Sequence, residues 1–351
     1  MEIKNYRQII IFLLVLFLIQ VVYFNYSYTK LENGLTSNIE AVSDTVIRLK
    51  SELDLVQRRS FVNSHKIPLP VIFCGDTLDY SNQLVREKIE REFYSLLGEQ
   101  GQIQLYLKRS AKYFPMIEKY LLEAGLPEDL KYLAVHESAL LPSIRSRSNA
   151  VGLWQFIRQT GRLYRLRINR YIDERRDPEK ATAAAMLMLK DLHNIFHSWP
   201  LVLAAYNGGM GRVRSSIKMH NSESFIDLSL PEETERYYFK IIAVKIVLSE
   251  PHTFGFELDE NDFFSSGDKH KISFTVNENT MSLTEIAQTC GVTISKLKNL
   301  NPQIIRSYLP RGVYTINIPF ENYFEYTREY EPVKDGQFSN VRTKKVDNFS
   351  E

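Results

Sequence analysis

"GLPEDLKYLAVHESAL", Gly125 to Leu140, decides the fold class of the chain around it. Pro127 suits the first turn of a helix, where a missing amide costs nothing, and Glu128 and Asp129 face the positive end of the helix dipole. Leu130, Leu133 and Ala134 follow at i, i+3 and i+4, the apolar stripe of a helix packed on a core. The next stripe position is Glu137. A carboxyl there has two readings. It is paired with a base, His136 or an arginine between Arg162 and Arg176, or it is kept protonated for use, because desolvation penalises its charged form and raises its pKa.

The helical period continues on both sides of this stretch, from 83 to 255. "DPEKATAAAMLMLKDLHNIFHSW" opens on Asp177 as N-cap with Pro178 as first helical residue. "PLVLAAYNGGMGRVRSSI" is a short helix broken by Gly208, Gly209 and Gly211. "PEETERYYFKIIAVKIVL" puts Tyr237, Ile241, Val244 and Leu248 on one face. After Gly255 the pattern changes. "HKISFTV" and "GVYTINIP" predict strands at Lys271 to Val276 and Val313 to Ile318, with helices at Leu283 to Cys290 and Ile294 to Leu300 between them. The expectation is a mainly α protein: an all-helical domain at 83–255, a small β-α-α-β domain at 270–320, and a polar tail at 321–351.

Ahead of the helical domain lies "IIIFLLVLFLIQVVYF", Ile9 to Phe24, preceded by Lys4 and Arg7. Extended to Tyr28 it reaches the length that crosses a bilayer, with tyrosines as an interfacial belt. No small-residue cleavage site follows, so residues 1–28 are expected as an uncleaved transmembrane signal anchor with its N-terminus in the cytoplasm. Leu35, Ile39, Val42, Val46, Leu49, Leu53 and Val56 then repeat at alternating spacings of four and three, a heptad seam that points to a coiled-coil stalk at 29–60 and a homodimer through residues 35–56. Residues 61–82, with Pro68, Pro70 and Gly75, read as a linker.

Composition narrows the function classes. A net charge of +2 over 351 residues gives no general attraction to nucleic acid. Cys74 and Cys290 make neither a disulfide framework nor a metal cluster, and neither follows the apolar run as a lipidated cysteine would. His193 and His197 have the spacing of zinc ligands but lack the accompanying Glu and a third ligand, so no metal or other cofactor is expected. "RQTGRLYRLRINRYIDERR" is basic and aromatic, but the acids within it and an extracytoplasmic location favour a solvated face or peptide carboxylates over nucleic acid.

Four blocks, "HESAL", "SRSNAVGLWQF", "AAYNGGMGRV" and "ETERYY", stand in this order over about a third of the chain. Together they resemble the lytic transglycosylases of the soluble-lytic-transglycosylase-like group, and most closely the membrane-bound murein transglycosylase D type. The resemblance implies a goose-lysozyme-like helical fold and a peptidoglycan substrate in the periplasm of a bacterium, with the chain a single-pass inner-membrane protein. It implies Glu137 as the catalytic acid and Ser146, Gln155, Tyr206, Asn207 and Tyr237 as substrate-binding positions. Trp154 stands where the soluble branch has Met, and offers either a sugar-stacking face or a core residue. Asn149 replaces a family glycine, and if that glycine is left-handed, Asn is the least costly substitute.

Ordinary glycosidases use two carboxylates. Here Asp173, Glu174, Asp177, Glu232, Glu233 and Glu235 all have simpler uses, and "DERRD" mixes charges like a solvated surface. The resemblance accounts for a single acid: the C6 hydroxyl of muramic acid attacks C1, leaving a 1,6-anhydro ring, with Glu137 as acid and then base. The 270–320 unit resembles a lysin motif through "SLTEIA", "GVTISKLKNLNP" and "YTINIP". It lacks the usual Gly-Asp after the first strand, which puts its glycan binding in question. A lysozyme-type hydrolase and a non-catalytic membrane-tethered peptidoglycan-binding scaffold are the competing readings.

Overall fold

The computed structural model describes residues 3–265 and 267–322, and the expected polar tail lies outside them from 323 onward. The chain divides into two compact units, Met1–Lys66 and Ile67–Glu351. The first is one uninterrupted helix, α1, Ile3–Ser64. At 1.5 Å per residue its 62 residues extend about 93 Å. Leu13–Leu31 is long and apolar enough to cross a membrane, and none of it is buried. Leu35, Ile39, Val42, Val46, Leu49 and Leu53 are exposed along the same helix, while the side chain of Val56 lies outside the described residues.

The second unit opens on a two-residue-per-strand hairpin, β1 (Ile72–Phe73) and β2 (Asp76–Thr77), followed by α2 (Gln83–Leu97), α3 (Gln100–Ala124), α4 (Lys131–Ser138) and α5 (Arg158–Leu163). Next come α6 (Pro178–Phe196), α7 (Trp199–Gly208), α8 (Met210–His220) and α9 (Glu232–Ser249). Asn82 caps α2 and Asp177 caps α6, each accepting two backbone amides. Within the stretch expected as a linker, Ile67, Val71 and Phe73 are buried. Asp129 holds this segment by accepting from the Cys74 amide at 2.6 Å and from Lys245 at 2.7 Å. The physical reason is that three apolar side chains among the prolines supply the burial that a free linker lacks.

α9 forms the axis, packed against α2, α3, α4 and α7. The one apolar face expected for it proves too narrow: Thr234, Tyr237, Tyr238, Phe239, Ile241, Ile242, Ala243, Val244, Ile246, Val247 and Leu248 are all buried. A helix apolar on every side belongs in the interior, and its central place brings Tyr237 to the site described below.

The C-terminal part is a two-stranded antiparallel sheet, β3 (Lys269–Ser282) with β4 (Tyr308–Pro319), carrying α10 (Leu283–Thr289) and α11 (Ile294–Leu300). The strands are longer than expected, and the register breaks between Val276 and Thr280, where the sequence departs from the lysin-motif pattern. Ser282 starts α10 with a capping box closed by Glu285. Asn301, fully buried, donates to Leu297 O and Asn317 O and accepts from the Asn317 amide, tying the end of α11 to β4.

Candidate active site

α4 is only eight residues long. It ends because Ala139 and Leu140 both turn left-handed, at φ 52° and 57°, and Arg109 donates to Ala139 O at 3.0 Å. Glu137 therefore projects from the last turn, on the stripe of Leu130, Leu133 and Ala134, each fully buried. The Glu137 side chain keeps a little solvent access while its carboxyl is enclosed by protein. Burial lifts its pKa to about 7; the hydroxyl of Tyr237, donating to Oε1, opposes that rise, and the charge of Glu233 adds to it.

His136, the base beside it in sequence, does not pair with Glu137. Its ring meets the ring of Tyr237 edge-on at 5.0 Å, and burial, with Lys240 adding to it, pushes its pKa down to about 4. Burial and the Glu137 charge hold the hydroxyls of Tyr237 and Tyr206 well above the usual tyrosine range, so both remain protonated donors. Tyr206 donates to Trp154 O at 2.6 Å. Asn207, next on α7, accepts from Thr234 Oγ1 at 2.8 Å, so α7 and α9 are locked one turn before Tyr237. Gly208 makes the approach feasible: a Cβ there would lie 2.9 Å from Thr234 Oγ1.

The loop between α4 and α5 is built on its own backbone. Ser146 Oγ accepts the Ala150 amide at 3.0 Å and contacts Ser148 Oγ at 2.9 Å, so its hydroxyl organises the loop and does not touch Glu137. Asn149 is left-handed at φ 64°, the conformation its glycine counterpart suggested. Gln155 is left-handed too, with Nε2 donating to Gly152 O at 2.9 Å. Trp154 is fully buried and donates Nε1–H to Thr182 Oγ1 at 2.9 Å, which makes it a core residue and removes it as a stacking face.

"DERRD" is not a solvated surface. Asp173, Glu174 and Arg175 are buried. Arg175 forms a two-pronged pair with Asp173, at 2.9 and 2.7 Å, and donates to Asn149 O at 3.0 Å and Phe156 O at 2.9 Å. Glu174 takes the Arg167 amide and Lys180 Nζ. Burial is tolerable because each charge meets a partner in good geometry. Local charge mixing cannot distinguish such a network from a wet face. Sequence reasoning missed Arg175 for that reason, and Gly152 as well, where a Cβ would fall 1.8 Å from Arg175 O. Glu233, one of the second-carboxylate candidates, lies four residues before Tyr237 on α9, and its charge acts on Glu137. His193 stacks on Trp199 at 4.3 Å, and His197 ends α6 in a left-handed turn.

Two segments of the chain match known protein families. Residues 115–228 match the transglycosylase SLT domain, and residues 275–329 match the LysM-like domain of lytic transglycosylase MltD. The membrane-bound lytic murein transglycosylases D of Escherichia coli strains K12 and CFT073 are each 31% identical over 245 residues, covering 68% of this chain and 52% of the relative. The chain thus spans about half the length of the curated relatives it matches. Among solved structures, the 70-kDa soluble lytic transglycosylase of Escherichia coli is 20% identical with a TM-score of 0.36, over 61% of this chain and 36% of that one. An inactive mutant of the lytic transglycosylase Slt of Pseudomonas aeruginosa is 21% identical with a TM-score of 0.33, over 43% and 26%. At such partial overlap the solved structures bear on neither mechanism nor substrate. The sequence matches bear out the resemblance read from the four blocks.

Proposed function

We propose, from the SLT-domain match over residues 115–228 and the protonatable Glu137 beneath it, that the chain is a peptidoglycan lytic transglycosylase cleaving the β-1,4 bond between N-acetylmuramic acid and N-acetylglucosamine. The observation that carries the reading is the carboxyl of Glu137, raised to about 7 by burial and held by Tyr237. An acid with that pKa is substantially protonated at neutral pH and still able to act as a base after losing its proton. Glu137 gives its proton to the glycosidic oxygen as the C1–O bond breaks. It then takes the proton of the muramic C6 hydroxyl as that oxygen closes on C1. Tyr206, Tyr237, Gln155 and Asn207 supply neutral hydrogen-bonding groups around the acid, and Ser146 holds the loop that presents Gln155.

The hydrolase reading has one observation in its favour. Glu233 is a second carboxylate whose charge acts on Glu137, and it is open to solvent. An oriented intramolecular hydroxyl needs no such base, because its effective concentration reaches on the order of 10⁵ M or more. Mass spectrometry of digested peptidoglycan separates the two. Products ending in 1,6-anhydro-muramic acid, lighter by one water and inert to borohydride, are expected. Reducing ends carrying water-derived oxygen would overturn the proposal and point to a second carboxylate, Glu174 or Glu233, as base.

The apolar helix at Leu13–Leu31 and the membrane-bound relatives support a single-pass anchor in a bacterial inner membrane, with Ile67 onward in the periplasm. The LysM-like match supports contact of the C-terminal part with glycan strands.

A further inference from the structure

The C-terminal part does not hang from the helical part on a tether; it completes it. Residues 167–174 form a tight hairpin: Asn169 Oδ1 accepts the amides of Tyr171 and Ile172, each at 2.8 Å, and Ile168 bridges Asp173. One edge of this hairpin pairs with the loop between α11 and β4. Ile172 bridges Ile304 in antiparallel register, the Asp173 amide donates to Gln303 O at 2.9 Å, and the Ile305 amide donates to Tyr171 O at 2.9 Å. Ile172 is 2% exposed and lies in the core of the C-terminal part with Ile272, Phe274, Leu297 and Ile304. Around the bridge, Arg167 sits over the ring of Tyr314 at 5.3 Å, Tyr171 meets Tyr308 at 5.5 Å, and Lys269 and Lys271 pair with Glu179 at the start of α6.

The opposite end of the hairpin grips the active-site loop. Asp173, whose amide is bound by the C-terminal part, holds Arg175 through both carboxylate oxygens. Arg175 in turn binds the carbonyls of Asn149 and Phe156, the two ends of the segment carrying Gln155 and the Trp154 carbonyl that receives Tyr206. Hydrogen bonds and buried apolar contact therefore run without interruption from Ile304 to the residues beside Glu137.

We propose that the LysM-like part is a buttress of the active-site loop, with Ile304, Ile172, Asp173 and Arg175 as positioning residues that set the turnover rate through Gln155 and Tyr206. The proposal rests on the lytic-transglycosylase reading for its kinetic arm only. Freed from the bridge, the hairpin would loosen its hold on Arg175, and small misplacements near a reacting centre cost one to two orders of magnitude in rate.

The test uses the full chain with Ile304→Glu, which puts a charge at the bridge, and Ile304→Val as the conservative control. Hydrogen exchange follows the amides of Asp173 and Ile305, which report docking, and those of Val151 and Gln155, which report the loop; kcat and KM are measured on glycan strands. For Ile304→Glu the loop amides are expected to lose about tenfold protection together with the docking amides, with kcat about tenfold lower and KM within twofold. Ile304→Val should leave all of these at the wild-type level. Free exchange at Asp173 and Ile305 with unchanged protection at Val151 and Gln155 would overturn the proposal, as would a rise in KM alone. Should Ile304→Glu fail to give soluble protein, Ile304→Ala is judged by the same two outcomes. A wild-type chain without glycan-cleaving activity would defeat the functional reading, yet the exchange measurements would still decide the buttress.

Discussion

Tyr237 reaches across 100 residues of sequence to donate its hydroxyl to Oε1 of Glu137. The bond opposes the effect of burial: enclosure raises the carboxyl's pKa, and the donated hydrogen bond lowers it. The balance near 7 keeps one group usable in both protonation states.

Removing that bond tilts the balance. In Tyr237→Phe the carboxylate loses its donor, so the pKa of Glu137 rises further and the alkaline limb of kcat moves to higher pH. The rate at the optimum should fall by about 10-fold or more, since a stronger hold on the proton makes a poorer acid. A pH–rate profile with the alkaline limb unmoved or shifted downward would contradict this role.

Glu137→Gln should abolish glycan cleavage, by at least ~10²-fold, while the chain stays folded. It should also stabilise the fold at alkaline pH. With the folded pKa about 7 and the ordinary value 4.5, the folded state binds the proton more tightly, so wild-type stability is lost as pH rises from 4.5 through 7. The neutral amide escapes that loss, which is up to about 3 kcal/mol at pH 8 and vanishes below 4.5. Urea unfolding of both proteins at pH 5 and pH 8 measures it; a gap that does not widen with pH would mean the carboxyl is not enclosed.

Gly152 admits no side chain. It sits at φ +89° with Arg175 O where a Cβ would go. Gly152→Ala should destabilise the helical part by several kcal/mol and cut activity even where the protein remains folded, because the loop must lift off Arg175. Asn149→Gly, at φ 64°, should by contrast leave activity within about twofold. Thermal melts and muropeptide release of the two variants provide the comparison, and equal behaviour would refute it.

The exposed apolar line on α1 predicts self-association. Val46→Glu with Leu53→Lys should turn a dimeric protein lacking residues 1–28 monomeric, since charges on a heptad seam oppose its packing. Sedimentation showing a monomer before substitution would rule the coiled coil out.

Features that depend on neighbours along the chain are legible in its sequence. The 3.6-residue period marks the helices, Asp177 with Pro178 marks the start of α6, and "HKISFTV" and "GVYTINIP" mark parts of β3 and β4, which extend beyond them. Glu137 stood out because a carboxyl on an apolar stripe conflicts with its surroundings over a single helical turn. Contacts between distant segments are not legible there. Nothing near Arg175 in sequence distinguishes a surface charge from one enclosed against Asn149 and Phe156. Nothing near Ile172 foretells that its partner is Ile304. Burial and hydrogen bonding between distant segments are properties of the packed chain, and a local period carries no information about which remote residue fills the other side.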